Sequence, residues 1–274
     1  MLVAGRNEAR GQAALARIRA AVPGAAVSFE PLDLASLQSV HDFADRVGAA
    51  HGALGVLVNN AGVMAPPRRV VTADGFELQT ATNHLGHFAL TARLLPQLLA
   101  GQARVVNVSS LAHRRGKLDF SDLQGERRYR PYGLYCQSKL MVLMFSLELD
   151  RRAKAAGWPL HAVAAHPGWS VTDIVRNGPG GASARPGAGQ FGPRERLYQL
   201  AFELFGQSAA AGAEPILYAA LDPAAQDGSY YGPNGFGELR GRPSPARIMP
   251  QAQDKAVAAR LWAVSEALTG VTFP

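Results

Sequence analysis

Tyr135 and Lys139 stand four residues apart in the run Tyr135-Cys136-Gln137-Ser138-Lys139, a spacing that brings a phenol and an ammonium to one face of a helix. A free phenol titrates at about 10, too high for a useful base at neutral pH. An adjacent positive charge favours the phenolate, so the pair is an acid/base device. The spacing alone is common by chance, and its weight comes from four further segments. Asn107-Val108-Ser109-Ser110 ends a predicted strand, where the Ser110 hydroxyl can face a carbonyl compound at the sheet rim. Asn59-Asn60-Ala61-Gly62 occupies the equivalent rim position one strand earlier, with residues small enough for a flat ring to approach the backbone. Asn83 lies in Asn83-His84-Leu85-Gly86, where two helical stretches meet and a side chain and carbonyl could be exposed. Pro167-Gly168-Trp169-Ser170-Val171-Thr172 completes the set.

These segments must be carried by regular elements, and the sequence supplies them in alternation. Short apolar runs rich in β-branched residues are expected as strands at 2–4, 27–31, 56–58, 105–108 and 162–165. Helical spacing fills 7–21, 36–50, 75–99 (as two helices) and 135–156. Helices at 194–206 and 209–221, a short strand at 229–231 and a helix at 251–268 follow. Strand and helix in turn predict βαβ units, hence an α/β doubly wound parallel sheet in one domain spanning 1–274. The Gly- and Pro-rich stretch 176–193 reads as a loop after the fifth strand, and 176–207 as a lid over a site at the carboxyl ends of the strands.

The five segments, in this order and at these spacings, resemble the short-chain dehydrogenase/reductase family. The likeness extends from the first residues to about Thr172, with a looser tail. The 24 residues between Ser110 and Tyr135, including Ala112-His113-Arg114-Arg115-Gly116 and Asp122-Leu123-Gln124-Gly125-Glu126, resemble the retinol dehydrogenase and WW-domain-oxidoreductase branch, where this interval is long. The resemblance implies a Rossmann-like fold and hydride transfer between a nicotinamide and a lipophilic alcohol, aldehyde or ketone. It implies Tyr135 as general acid/base, Ser110 as the group that polarises the carbonyl, and Lys139 as the group that lowers the tyrosine pKa and holds the nicotinamide ribose. Asn83 would anchor a water in the proton relay. Asn60, Ala61, Gly62, Pro167, Gly168 and Thr172 would line the cofactor. Family habit implies a homo-oligomer.

On the adenosine side, Gly5-Arg6-Asn7 follows the first strand. NAD-selective relatives carry an acid at this point, whereas the Arg6 guanidinium suits a 2′-phosphate by charge and fork geometry, so NADP is favoured over NAD. Asp33 matches the acid that faces the adenine, although Asp-Leu after a strand is equally an ordinary helix cap. The glycine-rich phosphate turn that the family places between its first strand and helix has no counterpart. Gly232-Pro233-Asn234-Gly235-Phe236-Gly237 is no substitute, because Pro243 and Pro245 forbid a following helix. The chain is thus expected to lack the first strand and helix, leaving unpaired edges or a new pairing in mid-sheet. The alternative to the oxidoreductase reading is therefore a truncated, catalytically silent homologue or binding protein unable to hold a dinucleotide.

Composition sets the outer bounds. The chain has 274 residues, 47% of them apolar, and a formal net charge of +7, enough for a substantial core and incompatible with dominant disorder. The charge comes from 24 Arg and 4 Lys scattered along the chain, with no zinc-finger, helix-turn-helix or aromatic RNA-binding signature, so nucleic acid is not an expected partner. A single cysteine, Cys136, cannot form an internal disulfide, which points to a reducing cytoplasm and away from a disulfide scaffold or four-cysteine zinc site. No apolar run reaches the roughly 18 to 20 residues that span a bilayer, so no membrane partner is expected. His84 and His87 (i, i+3) have no third ligand nearby and read as packing residues. Cys136 reads as a small apolar side chain and His166 as a strand-end residue. The Tyr230-Tyr231 pair could face substrate, though strand propensity explains it equally well.

Overall fold

The computed structural model describes residues 1–170 and 206–274. Strand β1 (Leu2–Gly5) pairs in parallel with β2 (Ser28–Pro31), and helix α1 (Glu8–Ala21) connects them. The Asn7 side chain accepts from the Arg10 N–H and so starts α1. Helix α2 (Leu37–Ala50) begins at the Ser36 cap. Its Val40, Phe43, Ala44 and Val47 recur at helical spacing and are all buried.

The larger sheet runs in the order β3 (Val56–Asn59), β4 (Arg104–Val108), β5 (His161–Ala165), β6 (Tyr230–Pro233), β7 (Pro243–Pro245). The first four are parallel and β7 is antiparallel to β6. Successive side chains of β4 serve opposite faces. Val105 joins Phe88, Phe145, Trp262 and Phe273 on one side, and Val106 joins Val163, Ala219 and Tyr231 on the other. Helical segments α4 (Gly86–Arg93) and α5 (Leu95–Ala100), with α6 (Pro131–Ala156) and α8 (Lys255–Thr269), supply the first face, and α7 (Ala209–Leu221) the second, while the single turn α3 (Leu78–Thr80) leads into α4. Covering both faces is what a parallel sheet requires. Phe88 anchors the larger core with ring centroids 5.1 Å from Trp262 and 5.2 Å from Phe273; truncating such a ring costs about 3–5 kcal/mol.

The expected doubly wound class holds, and so does the break in it. β1 and β3 share no ladder, so two sheets stand where a continuous one would run. Val56 and Val58 of β3 are 41% and 40% exposed, while Val105 and Val106 of β4 are fully buried. Other differences are local. Pro131 at the first turn extends α6 four residues ahead of the expected start, its fixed φ suiting that position. The two helices expected to meet near Asn83 instead run on through a wider π turn, Ala81–Leu85. Pro243–Pro245 forms the edge strand β7, a place where proline's missing N–H is tolerated. The terminal helix opens with a 3-10 turn at Pro250–Gln253 before the Asp254 cap. The expected loop 176–193, Thr172, nearly all of the helix 194–206 and all but Gly206 and Gln207 of the lid 176–207 lie outside the described residues. Among the described residues no helix is long and apolar enough to cross a membrane, and no group of three His, Cys, Asp or Glu could hold a metal ion.

Candidate active site

The carboxyl ends of β3, β4 and β5 converge on a cavity of about 920 Å3. Asn60, Ala61 and Gly62 line it after β3, Ser110 after β4, Tyr135 and Lys139 from α6, and Pro167 and Gly168 after β5. Eight of the sequence-predicted residues therefore share one space. Its remaining walls are largely apolar and include Met64, Leu111, Trp169, Ile216 and Leu239.

Helix α6 is tied down at Tyr135 and Lys139 themselves. Ser109 Oγ donates to the Lys139 carbonyl at 2.7 Å and Ser138 Oγ donates to the Tyr135 carbonyl at 2.9 Å. Lys139 Nζ donates to the Val108 carbonyl at 2.9 Å, which aims the ammonium at the end of β4 beside Ser110. Lys139 is 3% exposed and Tyr135 6% exposed. Burial pushes the Lys139 pKa down to about 8, so the group is still mainly cationic at neutral pH but within reach of titration.

Asn83 sits on the π turn, a feature that often marks functional sites. It is fully buried. Its Oδ1 accepts from the Val63 N–H at 2.8 Å, and its Nδ2 donates to the Val63 carbonyl at 3.0 Å and to Ser138 Oγ at 2.9 Å. Asn83 thereby couples the segment after β3 to the helix that carries Tyr135. Both of its N–H donors are occupied by protein. Beneath it, Asn59 Nδ2 donates to Asn107 Oδ1 at 2.9 Å and to Thr91 Oγ1 at 3.1 Å, tying β3, β4 and α4 together.

The polar extras resolve as the blander readings had them. Burial pushes His84 down to about 3 and His87 to about 4, leaving both neutral, with His84 against Ser265 Oγ at 2.8 Å and His87 against the Asn83 carbonyl at 3.0 Å. Burial raises the Cys136 thiol pKa, which disfavours the thiolate. Tyr230 and Tyr231 are core residues, and burial raises the Tyr230 phenol further.

The family model for short chain dehydrogenases matches residues 1–179. The chain belongs to that family. Homo sapiens retinol dehydrogenase 13 is 37% identical over 278 residues, covering 100% of this chain and 78% of the relative. Mus musculus polyprenol dehydrogenase is 40% identical over 276 residues, covering 98% of this chain and 76% of the relative. A crystal structure of an uncharacterised protein from Mycobacterium paratuberculosis is 40% identical, with a TM-score of 0.73 over 100% of this chain and 85% of that one. The long Ser110-to-Tyr135 interval of this short-chain dehydrogenase packs as an ordered cover: Gln124 Oε1 accepts from the Glu77 N–H at 2.8 Å, and Gln137 Nε2 donates to the Leu123 carbonyl at 3.0 Å.

Two predicted cofactor contacts stand apart from the cavity. Arg6 is exposed at the end of β1, and Asp33 follows β2. Asp33 is not the cap of α2, a place that Ser36 takes. Its Oδ1 accepts from the Ala35 N–H at 3.0 Å and its own N–H donates to Ser39 Oγ at 2.9 Å. The residues present suit the nicotinamide-ribose end of a dinucleotide. Lys139 offers a buried donor there, and Gly168, at φ +63° and packed so that a Cβ would strike the Leu239 carbonyl, lets the backbone come close. No glycine-rich strand-to-helix turn faces this cavity among the described residues; the helix N-terminus that reaches it, at Ala209 of α7, follows no such turn. Sequence reasoning missed Trp169 as a wall and Arg114, His166 and Glu238 as a linked group, because Glu238 lies 72 residues from His166 and carries no local motif.

Proposed function

We propose that this short-chain dehydrogenase is an NADP-dependent oxidoreductase of lipophilic alcohols, aldehydes or ketones. The observation that carries the reading is the convergence of Ser110, Tyr135 and Lys139 on one largely apolar cavity beside Asn60-Ala61-Gly62 and Pro167-Gly168. A bound nicotinamide would supply hydride to the carbonyl carbon, or accept it from the alcohol. In the reductive direction, the Ser110 hydroxyl donates to the substrate oxygen and Tyr135 gives that oxygen its proton as negative charge develops. Lys139, cationic in its buried position, favours the resulting phenolate. Asn83 acts by position, fixing α6 against the loop after β3. Arg6 holds the 2′-phosphate and Asp33 faces the adenine.

The apolar walls, and the names of relatives that act on retinol and polyprenol, support a lipophilic substrate. The lone buried Cys136 suits a reducing, cytoplasmic setting. A second reading, a catalytically silent binding protein, is favoured by one observation, the open edge of β3, where no phosphate turn lies among the described residues. Steady-state reduction of a long-chain aldehyde, followed by loss of NADPH absorbance, tests the choice. Saturable turnover in the wild type and none in Tyr135→Phe is expected; no turnover with either NADPH or NADH would leave the silent reading.

A further inference from the structure

Glu238 follows β6 in a short turn, Phe236–Glu238, and adopts φ +62°, a left-handed conformation that costs a non-glycine residue about 1 kcal/mol or more. Something must hold it there, and its carboxylate shows what. Oε2 accepts from Arg114 Nη2 at 2.7 Å and from His166 Nε2 at 3.0 Å, while Oε1 accepts from the Arg247 N–H at 3.1 Å. Arg114 also donates through Nη1 to the Gly237 carbonyl at 3.3 Å. His166 is sealed from solvent, and its Nδ1 accepts from the Gly168 N–H at 3.1 Å. The single proton of the neutral ring is therefore on Nε2, pointed at Glu238. Burial lowers the His166 pKa despite the carboxylate beside it, consistent with that neutral form.

Three of the groups so joined, Arg114, His166 and Glu238, lie on or next to different walls of the cavity. Arg114 lies in the 3-10 turn Leu111–Arg115 that the Ser110 side chain caps, and in the same turn His113 Nδ1 meets the Ser110 carbonyl at 2.7 Å. His166 precedes Pro167-Gly168. Gly237 and Leu239 flank Glu238 and line the cavity, and the Leu239 carbonyl accepts from the Trp169 N–H at 2.7 Å. The geometry points to Glu238 as a positioning residue, a clasp that fixes the turn carrying Ser110 against the Gly168-Trp169 wall and so sets the width of the cleft in which the substrate carbonyl lies. This deepens the oxidoreductase reading and rests on it for the reaction, but the clasp itself can be read without turnover.

In Glu238→Gln an amide N–H₂ must face a donor, either the Arg247 N–H or the Arg114–His166 pair, so at least one bridge is lost. The variant is expected to raise KM for a long-chain aldehyde about tenfold, with kcat lowered less and NADPH affinity unchanged within about twofold. Acrylamide quenching of the Trp169 emission, isolated by difference against Trp169→Phe, is expected to rise as the wall loosens. If Glu238→Gln does not fold, Arg114→Met, which cuts only the tie to the Ser110 turn, is read in the same two ways. Unchanged quenching together with an unchanged KM overturns the clasp. If the wild type turns over no aldehyde, the oxidoreductase reading fails by itself, and quenching then decides: a rise upholds the clasp and no rise overturns it.

Discussion

On and against the five-stranded sheet, Asn59, Asn107, Ser109 and Lys139 are nearly sealed from solvent, and each makes a hydrogen bond within the chain. In the two-stranded sheet, Arg6 is exposed with no ion pair among the described residues, and Asp33 bonds only within residues 33–39. The contrast separates two tasks that a dinucleotide enzyme must combine. Acid/base chemistry needs donors and acceptors fixed before the substrate arrives, because reorganisation in the reaction itself raises the barrier. Recognition of a distant phosphate needs only a charge that can reach it. α2 connects the two regions, since Val40, Phe43, Ala44 and Val47 pack into the same core as Phe88 and Leu90. The β1–β2 pair is thus a satellite hung on a finished core.

Four measurements break or sharpen this contrast. Tyr135→Phe strikes the fixed region at its centre and is expected to lower kcat by about 10³-fold while NADPH affinity stays within about twofold. Retention of most activity in steady-state assays would remove Tyr135 from its role. Hydrogen exchange should show amides of β1 and β2 exchanging about 100-fold faster than those of β4 and β5, since a two-stranded sheet is marginal and its opening need not breach the larger core. Equal protection would make the two sheets one cooperative unit. Arg6→Ala should cost about tenfold in the preference for NADPH over NADH, leaving turnover at saturating cofactor nearly intact; an unchanged ratio would take the guanidinium out of cofactor choice.

The smallest expected effect concerns pH. Because burial lowers Lys139 to about 8, aldehyde reduction should fall as pH rises through that value, and Lys139→Arg should abolish that limb. Stability runs the other way. Between about 8 and the ordinary lysine value near 10.4 the unfolded chain binds more protons than the folded one, so this group's contribution to stability rises with pH across that window. Denaturant unfolding at pH 8 and pH 10 checks the sign.

How far the sequence could be read follows the same division. That Tyr135 and Lys139 line one cavity was legible because they sit one helical turn apart, and local spacing fixes their shared face. The rim residues were legible because each ends a run of β-branched residues. The split in the sheet was legible as well, from the order of the motifs. The π turn at Asn83 was not, because an inserted residue leaves the apolar pattern of 75–99 almost unchanged. β7 was hidden by its prolines, which only the edge position permits. The Glu238 clasp was hidden most deeply: it joins residues 114, 166 and 238, and no periodicity connects positions so far apart in the chain.

The central claim, that a dinucleotide is held against Tyr135 and Lys139, is tested most directly by titrating the protein with NADPH and following tryptophan emission. Of the three tryptophans, Trp169 lines the cavity while Trp158 and Trp262 pack in or against the larger core, so a bound nicotinamide should quench the Trp169 signal selectively. The account predicts a saturable decrease that is lost in Trp169→Phe and weaker with NADH. A flat titration in the wild type would contradict it.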